Sequence, residues 1–505
     1  MFLFAAAAER KKLSEILIFC FAQRGDYDII FNYCYYELRL FSLAKGKLIS
    51  DFTKGSIPKH MIRFMIPFVA SNALQVVYSL VDMVVVGRYV GSAGLAGVSQ
   101  GSVLIMFFTM FGMGFATSGQ ILTSQLLGAN RKDDLNPLIG TLFSITILGS
   151  LVLTVLAVSL RGWLVNLLNV PPEASEMAKS YVLFCGSGLL FSCGYNTVSS
   201  ILRGMGDSKH PFIFITVSSV LNLILDIVLT GFLGLGVGGA AFATAFSQMV
   251  SCVSAVIFIA CRKQEFHFDF KLPSFRIRGD ILKRIVKLGI PLAVQMCSIN
   301  ISMMFCNSFI NSLGVSATAT FGVGLKIDDI ANKVTMAIQY AAAPMVGQNI
   351  GALEIKRSRS VVYWAWIFAG AIYLVFFFVC IFFGQQLYSL FTDDPEVIRM
   401  APIFFSAMVL SFPAMALMRG TSSFLQGIGN GTLIMCLALV DASARVVLGY
   451  LIGIVGGLGF YGFCLGFAFA AYGVVIPSMI YFFFVPWAKR RLAIAQLQDA
   501  APAES

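Results

Sequence analysis

Charge is scarce in this chain: only 12% of its 505 residues are Asp, Glu, Lys or Arg, against 58% hydrophobic. That leaves too little polar side chain to clothe a water-soluble fold of this length. Histidine is rarer still, limited to His60, His210 and His267, and no His-Glu-x-x-His pair occurs, which excludes a zinc hydrolase of that type. No Gly-x4-Gly-Lys-Ser/Thr loop is present to cradle phosphates, and no Gly-x-Ser-x-Gly elbow with His and Asp partners is present for acyl transfer. The eleven cysteines have neither metal-ligand spacing nor a disulfide framework; Cys185, Cys193, Cys252, Cys297, Cys306, Cys436 and Cys464 lie in apolar runs and read as small packing residues. No enzymatic activity, no cofactor and no metal beyond a coupling Na⁺ are expected.

What the chain has instead is length in hydrophobic runs. About 20 apolar residues cross a bilayer core, and twelve such spans are readable near 62–86, 95–120, 137–159, 179–201, 211–233, 237–261, 286–312, 317–345, 360–383, 401–424, 432–455 and 458–485. The expected fold is an all-α polytopic membrane protein. Lys and Arg gather in one set of loops (Arg131, Lys132, Arg203, Lys209, Lys356, Arg357, Arg359, Lys489, Arg490, Arg491) and in Lys45, Lys47, Lys54 and Lys59 before the first span. The opposite loops carry Arg88, Arg161, Lys179 and Arg399 diluted by Glu173, Glu176, Asp393, Asp394 and Glu396. The bias predicts a plasma-membrane protein with both termini cytoplasmic. It also accounts for the net charge of +11 through contact with anionic lipid, so nucleic acid is not an expected partner.

Sliding the chain along itself by 223 to 225 residues superimposes its halves. Ile66-Pro67 falls near Ile290-Pro291, Gln125 and Gly128-Ala129 on Gln348 and Gly351-Ala352, Pro172-Glu173 on Pro395-Glu396, and Ile201–Gly206 on Phe424–Gly429. This is an internal repeat. Six spans per copy put both copies in the membrane the same way round, so the two six-helix lobes are related by a pseudo-twofold axis along the membrane normal. The expected organisation is an appendage over 1–50 without assigned function, a first lobe over 51–261, a basic cytoplasmic linker over 262–285, a second lobe over 286–490 and a tail over 491–505. A monomer is expected.

An ionised side chain at the bilayer centre costs about 2.5–3.5 kcal/mol or more, so an acid inside a span is a functional candidate. Asp82 lies late in span 1 and Asp226 in span 5, where Asn222 precedes it by four residues and so shares its helix face. A carboxylate and an amide carbonyl suit Na⁺, and a buried carboxylate suits a proton; Thr244 on span 6 offers a hydroxyl. The plainer reading makes all of these hydrogen-bonded packing residues.

These residues, with the Ile-Pro opening of spans 1 and 7, the Asp82-x4-Gly87-x3-Gly91 ending of span 1, Gln-x2-Gly-Ala after spans 2 and 8, and Leu-Arg-Gly-Met-Gly-Asp after span 4, resemble the multidrug and toxic compound extrusion (MATE) transporters. The likeness covers roughly residues 50–490 and is greatest to the prokaryotic branch similar to the DNA-damage-inducible F type. It implies export of amphipathic, often cationic, compounds in exchange for Na⁺ or H⁺ by alternating access. By the same resemblance Asp82, Asn222, Asp226 and Thr244 form a cation site, Gln75, Tyr181 and Asn196 line the first-lobe cavity, and Pro67 marks a bend in span 1. Proline removes a helix hydrogen bond, so cation or proton binding at the acids is expected to bias that bend.

The second copy departs from the first. Asp82 maps to Cys306, Asn222 to Arg445 and Asp226 to Gly449, and span 7 lacks the acid that another branch of the family uses there. Its charges are Lys326, Asp328, Asp329 and Lys333 on span 8 and Asp441 with Arg445 on span 11. The i,i+4 spacings suit ion pairs within each helix; the alternatives are pairs that exchange partners during transport, or an acid that attracts cationic substrates. Two rival functions also stand: a lipid-linked precursor flippase of the same superfamily, and a non-transporting membrane scaffold or receptor.

Overall fold

A computed structural model describes residues 49–168 and 170–487. Nearly all of the expected N-terminal appendage lies outside the described residues, with Lys45 and Lys47, as do the 491–505 tail and Lys489, Arg490 and Arg491.

Twelve membrane helices follow in order: α1 (Ile57–Tyr89), α2 (Ser92–Gly128), α3 (Leu135–Ser159), α4 (broken into Pro172–Ser187 and Leu189–Gly204), α5 (Lys209–Asp226), α6 (Gly236–Cys261), α7 (Gly279–Asn311), α8 (Val315–Gly351), α9 (Ile355–Ser389), α10 (Pro395–Met408 continuing to Phe412–Ile428), α11 (Gly431–Tyr450) and α12 (Gly459–Phe484). Among the described residues ten are long and apolar enough to cross a membrane on that ground alone. The other two have visible reasons for falling short. Helix α4 breaks at Gly188 into two pieces of 16 residues, and α8 carries Lys326, Asp328, Asp329 and Lys333. Several helices outrun their hydrophobic stretch, because nothing in the backbone stops a helix at the hydrocarbon edge. Helix α7 thus begins at Gly279, inside the range read as linker, and its first turns carry Asp280, Lys283 and Arg284.

The repeat extends to backbone conformation. Gly91 and Gly314, 223 positions apart, precede α2 and α8 with φ of 85° and 107°, and Asn130 and Leu353 follow those helices with φ of 56° and 59°. Each glycine sits where a side chain would be strained. A π-helical turn extends α5 over Ile227–Phe232 and α11 over Leu451–Val455.

Packing follows the same symmetry: α1 lies against α5 and α8, while α7 lies against α11 and α2. The lobes meet most closely at the end bearing the basic loops. A Cβ on Gly128 would fall 1.9 Å from the Gln348 carbonyl oxygen, and one on Gly351 would fall 2.1 Å from that of Gln125. The Gln125 amide donates to Gly427 O at 2.7 Å. Farther along, Asn72 Nδ2 donates to Lys333 O at 3.0 Å and Phe68 stacks on Tyr340 at 5.7 Å. The segment before α1 straps this end: Ser50 N donates to Met205 O at 3.2 Å in the first lobe, Phe52 N donates to Gln348 Oε1 at 2.9 Å, and Arg357 donates to the carbonyls of Phe52, Lys54 and Gly55 at 2.8 to 2.9 Å in the second.

Candidate functional site

Asp82 and Asp226 converge from α1 and α5. Their carboxyl groups lie within hydrogen-bond reach of each other. Asp226 is 1% exposed, Asp82 is half-buried, and each keeps one buried oxygen, Oδ1, without a hydrogen-bond partner. Two carboxylates this close repel each other in a low-dielectric setting unless a proton or a cation lies between them.

Asn222, one turn before Asp226, is 5% exposed. Its Nδ2 donates to Thr244 Oγ1 at 3.4 Å, and that hydroxyl donates in turn to Ala240 O at 3.1 Å. With its nitrogen so engaged, Asn222 has its amide oxygen to offer a cation. The set is therefore two carboxylates, an amide and a hydroxyl, all hard oxygens suited to a monovalent ion or a proton. Among the described residues no group of three or more His, Cys, Asp or Glu side chains is placed to hold a metal. The π turn starts directly after Asp226; such turns recur at functional sites.

Tyr78, one turn before Asp82 on α1, lies within electrostatic reach of both acids and of Cys185, and Tyr181 on α4 packs with Cys185 and lies within electrostatic reach of Asp82. The Cys185 thiol donates to Ala241 O at 3.5 Å. Val86, Val98, Val237, Ala240 and Ala241 close the surroundings with apolar side chains. Tyr181 thus joins the acid pocket. Gln75 is exposed on α1 and Asn196 half-buried on α4, neither within that cluster. Helix α1 runs through Pro67 from Ile57 to Tyr89, and the Ser71 hydroxyl donates to Pro67 O at 2.8 Å. Tyr78 does not stand out in the sequence, although its position four before Asp82 is a signal.

In the second lobe Lys333 pairs with Asp329 at 2.8 Å, both partly exposed, and Arg445 pairs with Asp441 at 2.5 Å, both buried. Lys326 is exposed. Asp328 is buried and accepts from Asn332 Nδ2 at 2.6 Å. The Asn332 oxygen accepts from buried Arg419 on α10 at 2.5 Å and from the Tyr373 hydroxyl at 3.3 Å, and Arg419 also reaches Gln339 at 3.5 Å. Arg419, Asn332, Gln339 and Tyr373 were not legible as a group, since only the packing of α8, α9 and α10 brings them together. The available hint was that Arg419 stands 223 positions beyond Asn196.

Two lobes of six helices, related along the membrane normal and carrying an acid pair in one lobe, define a polytopic membrane protein of the two-repeat type. The MatE family pattern matches residues 67–228 and 291–451, one match per repeat. The chain belongs to that family. It is 28% identical over 357 residues to "Probable multidrug resistance protein YoeA" of Bacillus subtilis (strain 168), spanning 69% of this chain and 76% of the relative. It is 23% identical over 395 residues to "Probable multidrug resistance protein NorM" of Thermotoga maritima, spanning 77% and 84%. In fold it is similar to the crystal structure of MATE in the bent conformation, with TM-score 0.80 at 22% identity over 89% of this chain and 98% of that one. The straight conformation gives TM-score 0.78 at the same identity over 88% and 98%.

Proposed function

We infer that the chain is a multidrug exporter that exchanges amphipathic, often cationic, compounds for Na⁺ or H⁺ across the cytoplasmic membrane, as a monomer in contact with lipid and with both termini inside. The observation that carries this reading is the Asp82–Asp226 pair, with a buried, unpartnered oxygen on each acid. A pair that needs a cation or proton between its members is a coupling device, since filling and emptying it changes how α1 packs on α5. Family membership and relatives named as multidrug resistance proteins support export. With the basic loops inside, the close contacts at that end suit closure towards the cytoplasm, and on this reading the acid pair is loaded from outside. The flippase alternative requires basic groups free to receive a pyrophosphate. The buried arginines of the second lobe are engaged instead, Arg419 by Asn332 and Gln339 and Arg445 by Asp441.

Ethidium accumulation tests this reading. Cells expressing the chain should accumulate several-fold less dye than cells without it, and collapsing either the Na⁺ or the H⁺ gradient should abolish the difference. An unchanged dye level, or a difference that survives the collapse of both gradients, would refute coupled export.

A further inference from the structure

The second lobe contains a copy of the first-lobe pocket, and we propose that its cation is built in: the guanidinium of Arg445 is a tethered occupant of a second cation cradle. This rests on reading Asp82, Asn222, Asp226 and Thr244 as ion-binding. Carried across the repeat by 223 or 224 positions, Asp82, Asn222 and Thr244 become Cys306, Arg445 and Phe467. The structure brings the last two into contact and places the first near them. Arg445 is 6% exposed and lies over the Phe467 ring at 4.6 Å, and buried Cys306 stands within electrostatic reach of Arg445 and Asp441. Asp441, one turn before Arg445, accepts its guanidinium at 2.5 Å. The π turn that follows Asp226 recurs in this lobe after Tyr450.

The charges balance differently in the two copies. Two carboxylates in the first pocket require an exchangeable positive charge. The second already has a fixed one, held between Asp441 and an aromatic face in the manner of a bound organic cation, with buried Asp328 also within electrostatic reach of it. Arg445 Nε has no hydrogen-bond partner, so the side chain occupies the cradle without saturating its own donors. The second lobe is in this sense permanently loaded, and ion exchange is confined to the first. The ligand class that the cradle accepts is a small planar monovalent cation.

Shortening the tether should leave a site that such a cation refills. In purified Arg445→Gly protein the melting temperature should fall, and drug efflux from proteoliposomes should drop about tenfold or more. Millimolar guanidinium should restore both, whereas urea, its neutral isostere, should restore neither. Adding Asp441→Asn should remove the rescue. Arg445→Lys, which retains the charge, should export; Arg445→Met, of similar reach but neutral, should not. Full efflux by Arg445→Met, or rescue by urea as effective as by guanidinium, would overturn the proposal. So would failure of guanidinium to stabilise a folded Arg445→Gly protein. If Arg445→Gly does not fold, the Lys and Met variants decide. Absence of efflux from wild-type protein would instead count against the export reading, and guanidinium stabilisation would still test the cradle.

Discussion

Gly128→Ala is expected to hold the basic end of the bundle open. The new methyl would stand 1.9 Å from the carbonyl oxygen of Gln348, a backbone atom that no rotamer change can move aside. Relief requires the helix ends of the two lobes to separate. Overpacking of this kind costs about 1–3 kcal/mol, and a bias of that size against one of two states shifts their ratio by roughly 5- to 150-fold. Drug efflux should fall by about fivefold or more while the protein still elutes as a folded species. A cysteine at Ser124, which is fully buried against Gly347 at the same contact, should be protected from alkylation in an otherwise unreactive background and become labelled once Gly128→Ala is added. Gly149→Ala is the control, because its Cβ would meet nothing within 4 Å. Undiminished efflux together with unchanged protection would mean that this end need not close.

Asp226→Asn, and separately Asp82→Asn, should reduce efflux to the level of cells without the transporter. The amide matches the carboxyl group in shape but mimics only its protonated form, so the exchange of a proton or cation is lost while packing is kept. Neutralising one member of a facing pair also removes repulsion, and the melting temperature should stay level or rise. That separates lost coupling from lost folding. The sign of the ion response follows from loading on the outside. A proton-coupled wild type should export faster as the outside is acidified and slower as it is made alkaline; a Na⁺-coupled one should respond in the same sense to external Na⁺. Either variant should be flat to the ion that drives the wild type. A variant that exports at the wild-type rate and keeps the wild-type ion response would show that the pair only joins helices.

The lobes, their number of spans and their common orientation were legible because hydrophobic length and repeat offset are properties of the sequence itself. Helix ends were less so, since α1 runs for 33 residues through positions that membrane thickness alone would not include. Asp82 and Asp226 stood out because carboxylates in apolar spans are costly. Tyr78 did not, because a tyrosine in a span has many unremarkable homes, and although it shares a helix face with Asp82, only the folding of α1 onto α5 places it near Asp226. Arg419 was hidden for a related reason: its partner Asn332 sits on another helix 87 positions away. The π turns depend on which carbonyl each amide selects, and hydrophobic periodicity does not report that.

At the basic end the contacts cross between the repeats. Gln125 and Gly128 correspond across the repeat to Gln348 and Gly351, yet the contacts run Gly128 to Gln348 and Gly351 to Gln125. Residue i of one copy touches residue j of the other, and j touches i. That reciprocity is the mark of an isologous contact, the kind formed when two identical subunits meet across a twofold axis. The seam between the lobes therefore has the form of a homodimer interface between six-helix units, joined here in one chain by the basic linker. Joined in one chain, the halves need not be identical, and where the first has Asn222 the second has Arg445.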